Sequence, residues 1–147
     1  MNKIFIYYSY TGNGDAVAEY LKEKEFKIRK VIPQKPIPKN RALGIIVGGY
    51  KASVGYMDKL EEFNSDINDY DEVWIGSPVW NSRLSSPINT VLSKLDLTGK
   101  KLTFVLYSAS GKAPKAEERI HKEYPEARVV ELKEPKKDKG EMGKIGE

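Results

Sequence analysis

The stretch Lys3-Ile4-Phe5-Ile6-Tyr7-Tyr8-Ser9-Tyr10-Thr11-Gly12-Asn13-Gly14-Asp15 decides the reading of this chain. Its first six residues are a β-branched and aromatic run with the length of a buried strand, which Ser9 to Gly14 then interrupt with small polar residues. From Asp15 the apolar period becomes 3.6, with Val17, Tyr20 and Leu21 on one stripe and Asp15 placed as an N-cap or first-turn acid. A strand therefore enters a glycine-bearing loop and leaves it directly as a helix.

The same alternation continues outward. Phe26 to Ile32 alternates apolar with basic residues and stops at Pro33, which suits an outer strand with one solvated face. Ala42 to Val54, apolar with Gly44, Gly48 and Gly49 interspersed and Gly55 following, suits a small-residue helix packed closely on a sheet or a buried strand and turn, and the helix is the favoured reading. Glu72 to Gly76 is a second buried strand, entering the loop Ser77-Pro78-Val79-Trp80-Asn81-Ser82, and Ser86-Pro87 opens a helix carrying Ile88, Val91, Leu92 and Leu95. Lys101 to Tyr107 is a third buried strand, ending in Ser108-Ala109-Ser110-Gly111. Ala113 to Tyr124 is a further helix, and Arg128 to Leu132 the last strand. Strands alternating with helices require crossovers, and right-handed crossovers produce a parallel sheet covered on both faces. The expected fold is α/β, three-layered and doubly wound, with one domain over residues 1–132. The remainder, 133–147, lacks apolar periodicity and is expected to be a polar, flexible tail with no closing helix.

Composition narrows the chemistry. With no cysteine and one histidine, His121, the 147 residues hold no disulfide, thiolate metal site, iron–sulfur cluster, thiol nucleophile or histidine-rich metal site. No apolar run approaches the roughly 18 residues needed to span a bilayer, and Met1-Asn2-Lys3 does not open a signal peptide, so a cytoplasmic protein without membrane association is expected. The net charge is +4, but lysines lie beside glutamates through Lys22-Glu23-Lys24-Glu25 and the tail contributes only +1, which describes a solvated surface and not a nucleic-acid interface. His121 falls on a lysine- and glutamate-rich helix face and has no catalytic partner.

In an open parallel sheet, ligands bind beyond the carboxyl ends of the strands where the strand order switches. Ser9 to Gly14, Ser77 to Ser82 and Ser108 to Gly111 each follow a buried strand and precede a helix, so they should meet on one rim. The first resembles a phosphate cradle, since small residues leading into a helix let backbone amides point at an anion that the helix terminus also favours. It lacks the Gly-Lys-Ser/Thr ending of the triphosphate loop and the three spaced glycines of the dinucleotide fingerprint. Trp80 on the second loop offers a stacking surface to a flat ligand.

On these residues the chain resembles the flavodoxins, over Met1 to about Leu132. Ser9-Tyr10-Thr11-Gly12-Asn13 is similar to the family's Ser/Thr-x-Thr-Gly-Asn loop, and Tyr70-Asp71 followed by Gly76-Ser77-Pro78-Val79-Trp80 is similar to its third strand and ring-flanking loop. The resemblance implies a five-stranded sheet of order 2-1-3-4-5 and FMN as cofactor. Ser9, Tyr10, Thr11, Gly12, Asn13 and Gly14 would hold the phosphate with neutral donors alone. Pro78, Val79, Trp80, Asn81 and Ser82 would lie along the flavin ring, and Tyr107, Ser108, Ala109, Ser110 and Gly111 at its pyrimidine edge, with Tyr107 bordering the ring. It implies an electron carrier in which no side chain is catalytic, working with a reductase and an acceptor protein. In the family a ring-flanking peptide reorients on flavin reduction, usually at a glycine; here that position is Asn81, a residue that tolerates positive φ.

Three departures from the family stand out. Gly14 replaces the usual threonine, removing a hydroxyl donor worth about 1.5 to 3 kcal/mol. The chain is basic where flavodoxins are acidic. The final helix is missing, which should expose apolar sheet surface and favour a homodimer unless the tail covers it. The rival readings are a flavin-dependent NAD(P)H:quinone-type reductase and a flavin-free interaction domain on the same scaffold.

Overall fold

The computed structural model describes residues 2–146. Five parallel strands form its centre: β1 (Lys3–Tyr7), β2 (Lys27–Lys30), β3 (Glu72–Trp80), β5 (Lys101–Ser108) and β6 (Arg128–Lys133). They lie in the order β2-β1-β3-β5-β6, and a two-residue strand β4 (Arg83–Leu84) pairs antiparallel with the end of β3. Setting β4 aside, this is the expected order 2-1-3-4-5. Between strands run α1 (Asn13–Glu23), α2 (Arg41–Ser53), α3 (Ser86–Lys94) and α4 (Pro114–Glu123).

Strand alternation sorts the core into two layers. Ile4, Ile6, Val73, Ile75, Leu102, Phe104 and Leu106 face α2, α3 and α4, meeting Ala52, Ile88, Val91, Ala116 and Ile120. Phe5, Tyr7, Trp74, Val105, Val130 and Leu132 face the other way, against Val17 and Leu21 of α1. Among the described residues no helix is long and apolar enough to cross a membrane.

Several boundaries differ from expectation. Helix α1 begins at Asn13 with Gly12 as its N-cap, leaving Asp15 as a first-turn acid that accepts from the Tyr7 hydroxyl at 2.8 Å and pairs with Lys30. The segment Ser77 to Ser82 is not a loop. Strand β3 runs on through Pro78, which stays in register with Tyr107, to Trp80, and the chain reverses at Asn81 and Ser82. Their φ angles of 50° and 64° place both central residues in the left-handed region, as a two-residue type I′ hairpin requires.

Helix α2 forms over the expected segment, capped by Asn40, which accepts from the Leu43 amide at 3.1 Å. It turns its small residues Gly44, Gly48 and Ala52 inward and leaves Ile46 and Tyr50 each 68% exposed. The chain after it is pinned by buried Asp58, whose carboxylate accepts from Lys51 Nζ at 2.9 Å and Ser86 Oγ at 2.5 Å. These bonds satisfy a charge that would be costly to bury unpaired.

Over the described residues 133–146 the expectation of a flexible tail does not hold, and Glu147 lies outside the described residues. Lys139–Ile145 form a 3₁₀ helix whose Met142 and Ile145 are buried in the layer containing Trp74, Val130 and Leu132. The Arg128 guanidinium donates to the Ile145 carbonyl at 2.6 Å and lies over the Trp74 ring, whose indole N–H donates to Glu72. No α-helix follows β6 among the described residues, but the short helix closes the face whose exposure would favour a dimer.

Ile145 is 1% exposed, and Ile145→Ala should lower unfolding stability by about 2–4 kcal/mol, measured by urea denaturation. A flexible tail would give no change.

Candidate functional site

Each of the three predicted segments lies at the carboxyl edge of the sheet, the first and third leaving it there and the second running within β3 to the hairpin. At the first, the Tyr8 amide continues the ladder by donating to the Gly76 carbonyl at 3.1 Å, after which the chain turns away. Ser9 Oγ accepts from the amides of Gly12 and Gly14, at 3.2 and 3.1 Å. With its lone pairs engaged, that hydroxyl keeps its proton for an outside acceptor. Among the described residues, the amides of Tyr10, Thr11 and Asn13 donate to no protein acceptor. Gly12, with φ at 97°, caps α1 without a side-chain bond. Loose amides at the positive end of a helix make an anion cradle.

The missing hydroxyl at position 14 has a steric cause. A Cβ on Gly14 would stand 2.5 Å from the Tyr107 hydroxyl oxygen and 2.9 Å from Ser9 Cβ. Tyr107 is 2% exposed, and its hydroxyl donates to the Tyr8 carbonyl beneath the loop. Burial raises its pKa well above the phenol range and so keeps it a neutral donor. The ring thus supports the first loop from beneath, and it also lines the cleft.

Trp80, 8% exposed, packs perpendicular to the rings of Tyr8 and Tyr10 at centroid distances of 5.7 and 6.2 Å. Helix α2 presses against it at Gly48, where a Cβ would lie 2.9 Å from the indole. Tyr10 in turn donates to the Pro38 carbonyl at 2.7 Å, tying the loop to the entry of α2.

A cleft of about 580 Å³ collects these parts. That size suits a small-molecule site. Tyr10, Thr11 and Asn13 line it from the first segment, Pro78, Val79 and Trp80 from β3, and Tyr107, Ser108 and Ala109 from the end of β5. Ser9, Gly12 and Gly14 shape the cradle without lining the cleft. Asn81, Ser82, Ser110 and Gly111 do not line it either. The hairpin carries Asn81 outward, where its amide donates to Ser53 Oγ at 2.5 Å, and Ser82 Oγ accepts from the Lys115 amide. Gly111 donates back to Ser108 Oγ, and Ser110 is exposed. Sequence reasoning missed Arg41, Gly44 and Ile45 of α2, and Glu134, Lys136 and Lys137 of the tail. These come from segments without a recognisable loop motif, and only the basic pair Lys136-Lys137 offered a signal.

The flavodoxin family model matches residues 2–142. No curated protein matches the sequence. Among solved structures, a protein from Bacteroides eggerthii assigned as a flavoprotein is 19% identical, with 99% of this chain and 98% of that chain covered and a TM-score of 0.72. A flavoprotein from Lactobacillus acidophilus in complex with FMN is 19% identical over 88% and 89%, with a TM-score of 0.71. Oxidised flavodoxin 1 from Bacillus cereus is 17% identical over 99% and 97%, with a TM-score of 0.50. At these identities the likeness to the three structures shows a shared fold.

Because Tyr107 fills the space beside Gly14, the usual helix-interior gain of about 1 kcal/mol from glycine to alanine should reverse. Gly14→Ala is expected to destabilise by about 1–2 kcal/mol in urea unfolding, and to stabilise once Tyr107→Leu has emptied the space. A gain in the Tyr107 background would contradict the size exchange.

Proposed function

The chain belongs to the flavodoxin family, and from that premise we propose that it binds FMN at the carboxyl edge of its sheet and passes electrons between partner proteins. One observation carries the reading: a single cleft joins a cradle of unpaired amides to an aromatic wall, the two chemistries that a phosphorylated flavin needs. The FMN complex of the similar Lactobacillus acidophilus protein supports it.

Bound FMN would supply the redox chemistry, accepting and releasing electrons. The chain's own residues bind, orient and shield. The Ser9 hydroxyl and the amides of Tyr10, Thr11 and Asn13 would donate to the phosphate. Trp80 would exclude water from one side of the ring, braced by Tyr8, Tyr10 and the α2 backbone. Ser108 and Ala109 form the rim at the end of β5. Among the described residues no group of histidine, cysteine, aspartate or glutamate gathers as a metal site. Asn81 stands at a φ of 50° at the hairpin tip, so the family's peptide reorientation would start there from a left-handed residue. Ile45 of the cleft wall continues outward into exposed Ile46 and Tyr50, an apolar rim beside Arg41 for a redox partner to cover.

Titrating purified protein into FMN should quench flavin fluorescence at one equivalent, and NAD(P)H alone should leave the bound flavin oxidised until a separate reductase is added. Steady NAD(P)H oxidation by the protein alone would establish the reductase reading instead. No quenching would leave a flavin-free interaction domain.

A further inference from the structure

The C-terminal tail does more than cover the sheet. After β6 it crosses in front of the cleft, where the Glu134 amide donates to the Ser108 carbonyl and the Lys136 amide donates to Asn13 Oδ1, both at 3.0 Å. The tail is therefore bonded to two of the three segments that form the site.

The Lys136 side chain lies along Gly12. A Cβ on that glycine would be 3.0 Å from both Cδ and Nζ of the lysine. Gly12 caps the N-terminus of α1, the end whose partial positive charge disfavours a neighbouring cation. The first-turn acid Asp15 is engaged by Lys30 and the Tyr7 hydroxyl and not by Lys136. Among the described residues no carboxylate lies within 4.0 Å of Lys136 Nζ, and nearby Glu134 pairs at 3.3 Å with Lys137 instead. An unpaired ammonium thus sits beside a positive helix end and the unpaired amides of Thr11 and Asn13. Three donors of one sign brought together without an acceptor are mutually repulsive, and an anion between them converts the repulsion into attraction.

We infer that Lys136 is a phosphate-binding residue, so that the tail forms one wall of the flavin site and makes the chain selective for 5′-phosphorylated flavin over riboflavin. The inference rests on the FMN reading above and adds to it a charged donor where sequence expectation has neutral donors alone. It also accounts for the tolerance of Gly14. The hydroxyl that Tyr107 excludes from the helix side is replaced by an ammonium from the tail side.

The test compares FMN with riboflavin as paired probes, using fluorescence titration of wild type, Lys136→Ala and Lys136→Arg at low and high ionic strength. Lys136→Ala should weaken FMN binding by about tenfold or more and flatten its salt dependence, with riboflavin binding unchanged. Lys136→Arg should restore most of the loss. Lys122→Ala, on an exposed position of α4, controls for net charge and should alter neither flavin. Wild type and Lys136→Ala binding FMN equally would overturn the inference while leaving the FMN reading intact. An equal loss for both flavins would also overturn it, since a merely structural role of the tail has that signature. Wild type binding neither flavin would overturn the FMN reading and the inference together.

Discussion

Parallel pairing of β1, β3 and β5 aligns Tyr7 with Gly76 and Gly76 with Val105, so the ends of three separated stretches of chain share one edge of the sheet, with β3 and β5 running on past the end of β1 to Trp80 and Ser108. Each residue of such a ladder is fixed by hydrogen bonds on both sides, and a slip of one position would turn every buried side chain to the wrong face. The switch of strand order between β1 and β3 then opens a gap at that edge, because α1 departs toward one face and the later helices toward the other. The cleft is a consequence of this geometry.

Within that frame, two exchanges of size set the details. Tyr107 takes the space that a side chain at position 14 would need and supports the loop from below through its bond to Tyr8. Gly48 gives up its side chain so that the backbone of α2 can lie against Trp80. Both trades place an aromatic ring where it is rigid, and both remove flexibility from the cleft walls. Helix α2 has a corresponding cost, since its larger apolar residues face outward.

Much of this was legible in the sequence because buried parallel strands and amphipathic helices have distinct periods. The run Lys3 to Tyr8, the helix stripe of Val17 and Leu21 and the anion loop between them need no tertiary information. Pro78 misled for a local reason: a proline signals a break, yet here it occupies a place in the ladder opposite Tyr107, and the reversal waits for Asn81 and Ser82. The tail misled for a different one. Met142 and Ile145 are three residues apart, and in a 3₁₀ helix such positions share a face, so a search for a 3.6 period passes over them. For Lys136 the basic pair Lys136-Lys137 marked only charge and not location, because its partner Asn13 lies 123 residues away in the chain.

The central claim, that the loop after β1 and the ring of Trp80 serve one ligand, is tested most directly by amide and indole resonances of isotopically labelled protein during FMN addition. The account predicts that the amides of Thr11 and Asn13 and the Trp80 indole shift together along one saturating curve. Shifts confined to another face of the molecule, or a loop and a tryptophan that respond at different flavin concentrations, would contradict it.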